Sequence, residues 1–289
     1  MSRQPAVARR LWQRLELIHA VTYFSPESVT GFRDAGYKGF WMGYFAGRAA
    51  PLGAVGPEIV TALFYNFAPS RVARALPDAW AFAPPEAALA ARTTASVAAL
   101  RRSFGDGNGD AIATAAAMAR RAAESAPQDG RPLYAANAAL PWPEDRIADL
   151  WHAATLLREH RGDGHVAVLT AAGVSGREAN VLHSAAVGVP VDYMSVGRDY
   201  DAEEWSANAR SLATRRLLTA DGALTAEGSA FKAELEERTD RIALAAYGVL
   251  DDDDVERLLA ALTPLARAVI ATGDVPPMTP IGPIAAALN

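Results

Sequence analysis

Four of the five histidines, His152, His160, His165 and His183, fall within 32 residues of the second half of the chain. Among them, Arg158-Glu159-His160-Arg161-Gly162-Asp163-Gly164-His165 reads as a helix end followed by a tight turn, which could bring His160, Asp163 and His165 together. Two imidazoles and a carboxylate can hold a divalent cation, so these three are the candidate metal ligands. The same residues also fit a capped junction, with Gly162 ending one helix and Asp163 capping the next. With no cysteine in the chain, thiolate zinc sites, iron–sulfur clusters, disulfides and a cysteine nucleophile are excluded.

A second constellation lies between Gly39 and Ser70, where Arg48 and Glu58 are the only charged residues among Phe40, Trp41, Met42, Tyr44, Phe45, Phe64, Tyr65 and Phe67. Gly39, Gly43 and Gly47 recur every four residues and leave one helix face nearly bare, open to a neighbouring backbone or a flat ligand. Two readings follow for Arg48. It pairs internally with Glu58, or it clamps an anionic guest in an aromatic cavity, with Tyr44, Tyr65 or Asn66 orienting it. On the ligand reading Trp41, Tyr44, Arg48, Glu58, Tyr65 and Asn66 face the guest with Arg158, His160 and His165 of the second half. The guest would be a small hydrophobic or aromatic molecule. No cofactor is specified.

These residues must be positioned by helices. Leu11, Leu15 and Ile18 share a face over 5–20, and Ser25-Pro26-Glu27 starts a second helix stopping at Gly36. Helices are expected over 57–67, 84–103, 110–125, 144–160, 163–172, 176–186, 201–216 and 225–247. Residues 127–143 carry four prolines and read as an extended crossing. The expected organisation is therefore an N-terminal helical half over 1–126, the crossing, a C-terminal half over 144–250, and a terminal helix with a proline-rich surface tail over 251–289. The acids Asp251 to Asp254 suit the first turn of that last helix.

Leu217-Leu218-Thr219-Ala220-Asp221-Gly222-Ala223-Leu224-Thr225 carries an Asp-Gly hairpin signal between apolar pairs. Together with Glu204-Trp205, Leu212, Arg215-Arg216 and Glu227-Gly228 it is similar to the recognition-helix-and-wing segment of MarR-type winged-helix regulators. Phe40 to Leu52, Phe64 to Trp80 and Thr155 to Val166 resemble an actinobacterial family of conserved helix-turn-helix proteins of this length. The resemblance implies a mainly α fold with two winged-helix-like halves and short β-hairpin wings. Leu11-Trp12 and Leu150-Trp151 begin comparable stretches in the two halves, consistent with an internal pseudo-dimer, either monomeric or as a homodimer.

The net charge of −5 gives no overall basic field for nucleic acid. Within 201–216, Asp201, Glu203 and Glu204 balance Arg210, Arg215 and Arg216, the candidate DNA contacts, and 217–231 holds no cation. The hairpin therefore fits a structural cap as well as a wing. No signal-peptide pattern or membrane span is evident, and a cytoplasmic location is expected. Nucleophile elbows, phosphate loops and dinucleotide fingerprints are absent from the sequence. The reading that follows is a small-molecule-binding protein on a MarR-like scaffold, either a transcriptional regulator or a metabolite-sequestering protein. The alternative is an enzyme of specialised metabolism that recruited this scaffold, with His160, Asp163 and His165 as a metal centre or Arg48 and Glu58 as its polar centre.

Overall fold

The computed structural model describes residues 3–284. Helix dominates, as expected, beginning with α1 (Ala6–Phe24) and α2 (Pro26–Asp34). Ser25 separates them, its hydroxyl accepting from the Ser28 amide at 3.2 Å while Pro26 occupies the first helical position. The aromatic segment folds as α3 (Gly39–Ala49) and α4 (Pro57–Phe64), followed by the short α5 (Pro69–Ala73) and α6 (Ala79–Phe82). The glycine stripe of α3 receives a side chain of its neighbour. A Cβ on Gly43 would lie 2.9 Å from the Phe32 Cβ, and one on Gly47 would lie 2.4 Å from the Phe32 ring.

Two long alanine-rich helices, α7 (Pro85–Phe104) and α8 (Gly109–Ser125), lead into the proline-rich crossing. That crossing is not simply extended, because it contains α9 (Pro132–Ala138), whose Leu133, Tyr134 and Asn137 are buried. Next comes α10 (Arg146–Ala171), one uninterrupted helix of 26 residues where two helices with a junction at 161–163 were expected. Gly164 is there for packing: a Cβ would sit 2.9 Å from both Arg131 and Ile242. Asp163 does cap a helix, but a different one, its carboxylate accepting from the Tyr134 amide of α9 at 3.0 Å.

The remainder comprises α11 (Gly176–Val187), α12 (Val191–Arg198), α13 (Ala202–Thr214), α14 (Ala226–Ala243) and α15 (Asp252–Ala271). Leu218 and Leu224 form an isolated antiparallel bridge at the Asp-Gly turn, and the tail pairs β1 (Met278–Thr279) with β2 (Gly282–Pro283). The β-bridged turn after α13 belongs to the second half, and among the described residues of the first half there is no strand.

Three apolar clusters hold these elements. The largest joins α1, α7, α8, α10 and α15 through Leu11, Leu15, Ile18, Leu150, Trp151, Leu258 and Leu262, so residues on both sides of the proline-rich crossing share one interior. A second gathers Tyr37, Phe45, Val60, Phe64, Phe67 and Leu76, and a third joins Leu169, Val181, Leu182, Leu212, Leu217 and Leu235. α1 and α10 are buried around most of their circumference, so their polar residues must find partners inside the protein. No described helix is long and apolar enough to cross a membrane.

Candidate functional site

α11, α12 and α13 form a compact unit held by polar contacts at its corners. Ser175 and Glu178 make a reciprocal capping box at the start of α11. From the next position, Arg177 donates to the carbonyls of Arg198 and Asp199, both at 2.9 Å, closing the end of α12. Its guanidinium lies over the Tyr200 ring, 3.3 Å from the centroid, and pairs with Glu204 of α13. Asp199 turns the chain in the left-handed conformation, φ 64°, and Asp201 caps α13 by accepting from the Glu204 amide at 2.7 Å. Two helices separated by a three-residue turn, Asp199 to Asp201, are thus followed by the bridge between Leu218 and Leu224. α14 docks closely under it, since a Cβ on Gly228 would lie 1.9 Å from the Leu217 carbonyl oxygen.

Behind α12 lies a solvent-open cavity of about 1090 Å³. Its walls are Trp12, Glu16, Tyr23 and Phe24 of α1, Phe40, Trp41 and Tyr44 of α3, and Arg158 of α10. They are completed by His183 of α11, Tyr193, Met194, Val196, Gly197 and Arg198 of α12, Lys232 and Glu236 of α14, and the terminal hairpin around Ile281. Phe40, Tyr193, Val196 and Ile281 at this cavity are also exposed, with Val196 at 72%. A cavity lined by apolar and aromatic groups with a few polar ones is the usual form of a small-molecule site.

The inner wall is an ion network. Arg48 grips Glu159 through two parallel contacts, Nε to Oε1 and Nη2 to Oε2, each 3.0 Å. Arg158 reaches Glu159 at 2.9 Å and Glu16 at 3.3 Å, and the Trp12 indole donates to Glu16 at 3.2 Å. Burial opposes charge on Glu159, but Arg158 and then Arg48 override it and hold the carboxyl well below its ordinary range. The same attraction from Glu159 raises both arginines despite burial.

Beside the network, Thr155 donates to the Trp151 carbonyl at 2.9 Å and therefore accepts from His19 Nδ1, also 2.9 Å away. His19 Nε2 is left to accept from the Tyr23 hydroxyl at 2.9 Å. Burial, then the Arg158 charge, keeps His19 neutral, its pKa well below the ordinary value.

The sequence pattern of a helix-turn-helix family matches residues 8–276. The chain belongs to this helix-turn-helix family. Neither a curated protein nor a solved structure matches it.

Of the residues anticipated from the sequence of this helix-turn-helix protein, Trp41, Tyr44 and Arg158 line the cavity. Arg48 sits one layer deeper, over the Phe64 ring at 4.1 Å, and its partner is Glu159 and not Glu58. Glu58 is exposed in the first turn of α4, where a carboxylate complements the helix dipole. Tyr65 and Asn66 fasten α4 to α11: the Tyr65 hydroxyl donates to the Val174 carbonyl at 2.5 Å, and the Asn66 carbonyl accepts from Asn180 at 2.8 Å.

The proposed metal ligands separate. Because α10 continues through them at about 100° per residue, His160 and Asp163 share a face towards Tyr134 while His165 points away from both. His160 lies edge-on to Tyr134, Asp163 accepts from the Tyr134 amide, and His165 hydrogen-bonds Thr239. Among the described residues no group of three or more His, Asp or Glu could hold a metal ion.

The three candidate DNA contacts also part ways. Arg210 is exposed on α13, whereas Arg215 turns back to the Gly173 carbonyl at 3.0 Å and Arg216 lies 3.4 Å from Glu227. Sequence reasoning missed Trp12, Tyr23, His183 and Arg198 of the cavity wall. A signal existed for two of them: Trp12, Glu16 and Tyr23 recur at helical spacing on a face of α1 distinct from Leu11, Leu15 and Ile18.

Proposed function

We propose that this helix-turn-helix protein is a transcriptional regulator whose DNA contact is controlled by a small molecule held behind α12. The observation that carries this reading is shared structure: α12, which we read with α13 as the helix-turn-helix, is also a wall of the cavity, through Tyr193, Val196, Gly197 and Arg198. Leu224, in the β-bridged turn after α13, reaches the same cavity. A guest touching these residues binds one placement of α12 and the turn more tightly than another, and that differential affinity shifts the population.

On this reading α13 enters the major groove and presents Glu203, Ser206, Arg210 and Thr214, all exposed, to base edges, with the turn at Asp221-Gly222 in the place of a wing. α13 carries Glu203 and Glu204 against the single cation Arg210, so sequence readout through Arg210 and hydroxyl donors has to carry more of the affinity than in a basic recognition helix.

The test is selection of bound duplexes from a random pool, followed by mobility shift at about 50 mM and 150 mM salt. An enriched sequence is expected, with Arg210→Ala weakening its binding by about 1–3 kcal/mol. Failure to enrich any sequence at the lower salt would overturn the regulatory reading.

A further inference from the structure

Resting on the cavity reading above, the charges around the cavity narrow the chemistry of its guest. Four cations line it: Arg9, Arg158, Arg198 and Lys232. Three are already matched. Arg9 meets Asp240 at 2.7 Å, Arg158 meets Glu159 and Glu16, and Lys232 pairs with Glu236. Arg198, at the end of α12, has no carboxylate within 4 Å among the described residues, and its side chain makes no hydrogen bond there; its Nε is buried without a partner. Its guanidinium lies over the Phe67 ring, 4.1 Å from the centroid.

The contrast with the deeper arginines is physical. Burial pushes Arg198 below the ordinary guanidinium range, and the groups that offset this are the phenols Tyr44, Tyr200 and Tyr193, while Arg48 adds to the strain on its charge. Arg48 and Arg158 have Glu159 and are raised. A half-buried cation without a counter-charge is costly in proportion to its lost water, and a guanidinium fork packed on an aromatic face is suited to two parallel contacts with a carboxylate or sulfonate. The same cavity is lined by the rings of Trp12, Tyr23, Phe24, Trp41 and Tyr44, of which Trp41 and Tyr44 pack against Phe67.

We infer that the cavity takes a lipophilic monoanion with an aromatic body, its acidic group seated on Arg198 and its rings against the aromatic wall of α1 and α3. The anion then completes the charge balance at the end of α12 and ties that helix to the guest.

Two fluorescent probes with one skeleton separate the contributions: 1-anilinonaphthalene-8-sulfonate carries the acid, and N-phenyl-1-naphthylamine lacks it. In the wild-type protein the sulfonate should bind about ten-fold tighter or more, the range of a charge-assisted contact. Arg198→Met keeps the stem on Phe67 and should bring the two probes to within about two-fold by weakening only the sulfonate, and Arg198→Lys should restore part of the difference. Equal binding of both probes by the wild type overturns the inference without any variant, and so does a preference that survives in Arg198→Met. Binding of neither probe overturns both this inference and the effector reading. A preserved, Arg198-dependent preference with no effect of either probe on DNA binding overturns the regulatory reading alone.

Discussion

Arg48 and Glu159 form a two-point ion pair, 3.0 Å at each contact, that joins α3 to α10 across 111 residues of sequence. Glu159 is the hub of this arrangement, because it also holds Arg158. Glu159→Gln should therefore destabilise the fold by about 3–5 kcal/mol, the cost of stranding buried charges. Arg48→Met should cost clearly less, since Glu159 keeps Arg158. Urea unfolding of the two variants checks the order, and equal losses would show that Glu159 is not the hub.

All five histidines are held below their ordinary pKa, burial being the leading cause in each, and His152, His160, His165 and His183 are each lowered to about 4. A group that is harder to protonate folded than unfolded makes stability fall as pH drops from about 6.5 to 4. Asp163 has the opposite sign. Burial raises it to about 7, so its contribution is present at low pH and is lost as pH rises from its unfolded value towards 7. Asp149 and Asp240 are raised by burial as well, and five histidines outweigh these three carboxyls near pH 5, so unfolding there should take up about three to four protons net. The slope of unfolding free energy against pH measures this, and a flat profile between about pH 4.5 and 6 would contradict it.

Asp163→Asn isolates the opposing contribution. The amide oxygen can still accept from the Tyr134 amide, while the ionisation is gone. The variant should gain on the wild type as pH rises from about 5 to 8, by about 2–4 kcal/mol. Parallel urea titrations at the two ends decide it, and an unchanged difference would place the titration elsewhere.

Two glycine positions should respond differently to alanine. At Gly47 the new methyl meets the Phe32 ring, 2.4 Å away, so the cost should be about 1–3 kcal/mol and Phe32→Leu should recover part of it. At Gly176 it would lie 1.9 Å from the Tyr65 carbonyl oxygen, a backbone atom held by its neighbours. No side-chain change relieves that, and Gly176→Ala should separate α4 from α11 and lose more. Melting temperatures of the three variants test the ranking.

Filling the cavity should silence the effector response and leave DNA contact intact. Ala186 of α11 lines the cavity, so Ala186→Trp places a ring where the guest sits. Both naphthyl probes should lose affinity by about ten-fold or more, while the mobility shift stays unchanged. Undiminished probe binding would put their site elsewhere on the surface.

Local chemistry was legible from the sequence wherever its cause lies within a few residues. Ser25, Asp201 and Thr225 each accept from the amide three positions on, and these caps mark the starts of α2, α13 and α14 without reference to the rest of the fold. The Asp-Gly turn and the mainly helical class follow for the same reason: turn geometry and a 3.6-residue period are short-range properties.

Tertiary packing decided what short-range rules could not. Gly162 and Gly164 read as a helix end, yet α10 runs through them because Arg131 and Ile242 need the space beside Gly164 and Asp163 is engaged in capping α9. α12 buries only Met194 and leaves Val191, Tyr193 and Val196 exposed, so it is fixed by distant partners, with the Ala68 amide and Arg177 on the Arg198 carbonyl. The partner of Arg48 is the same kind of quantity. Glu58 is ten residues away and Glu159 is 111, and a Coulomb interaction depends on separation in space and on burial, which only the folded chain supplies.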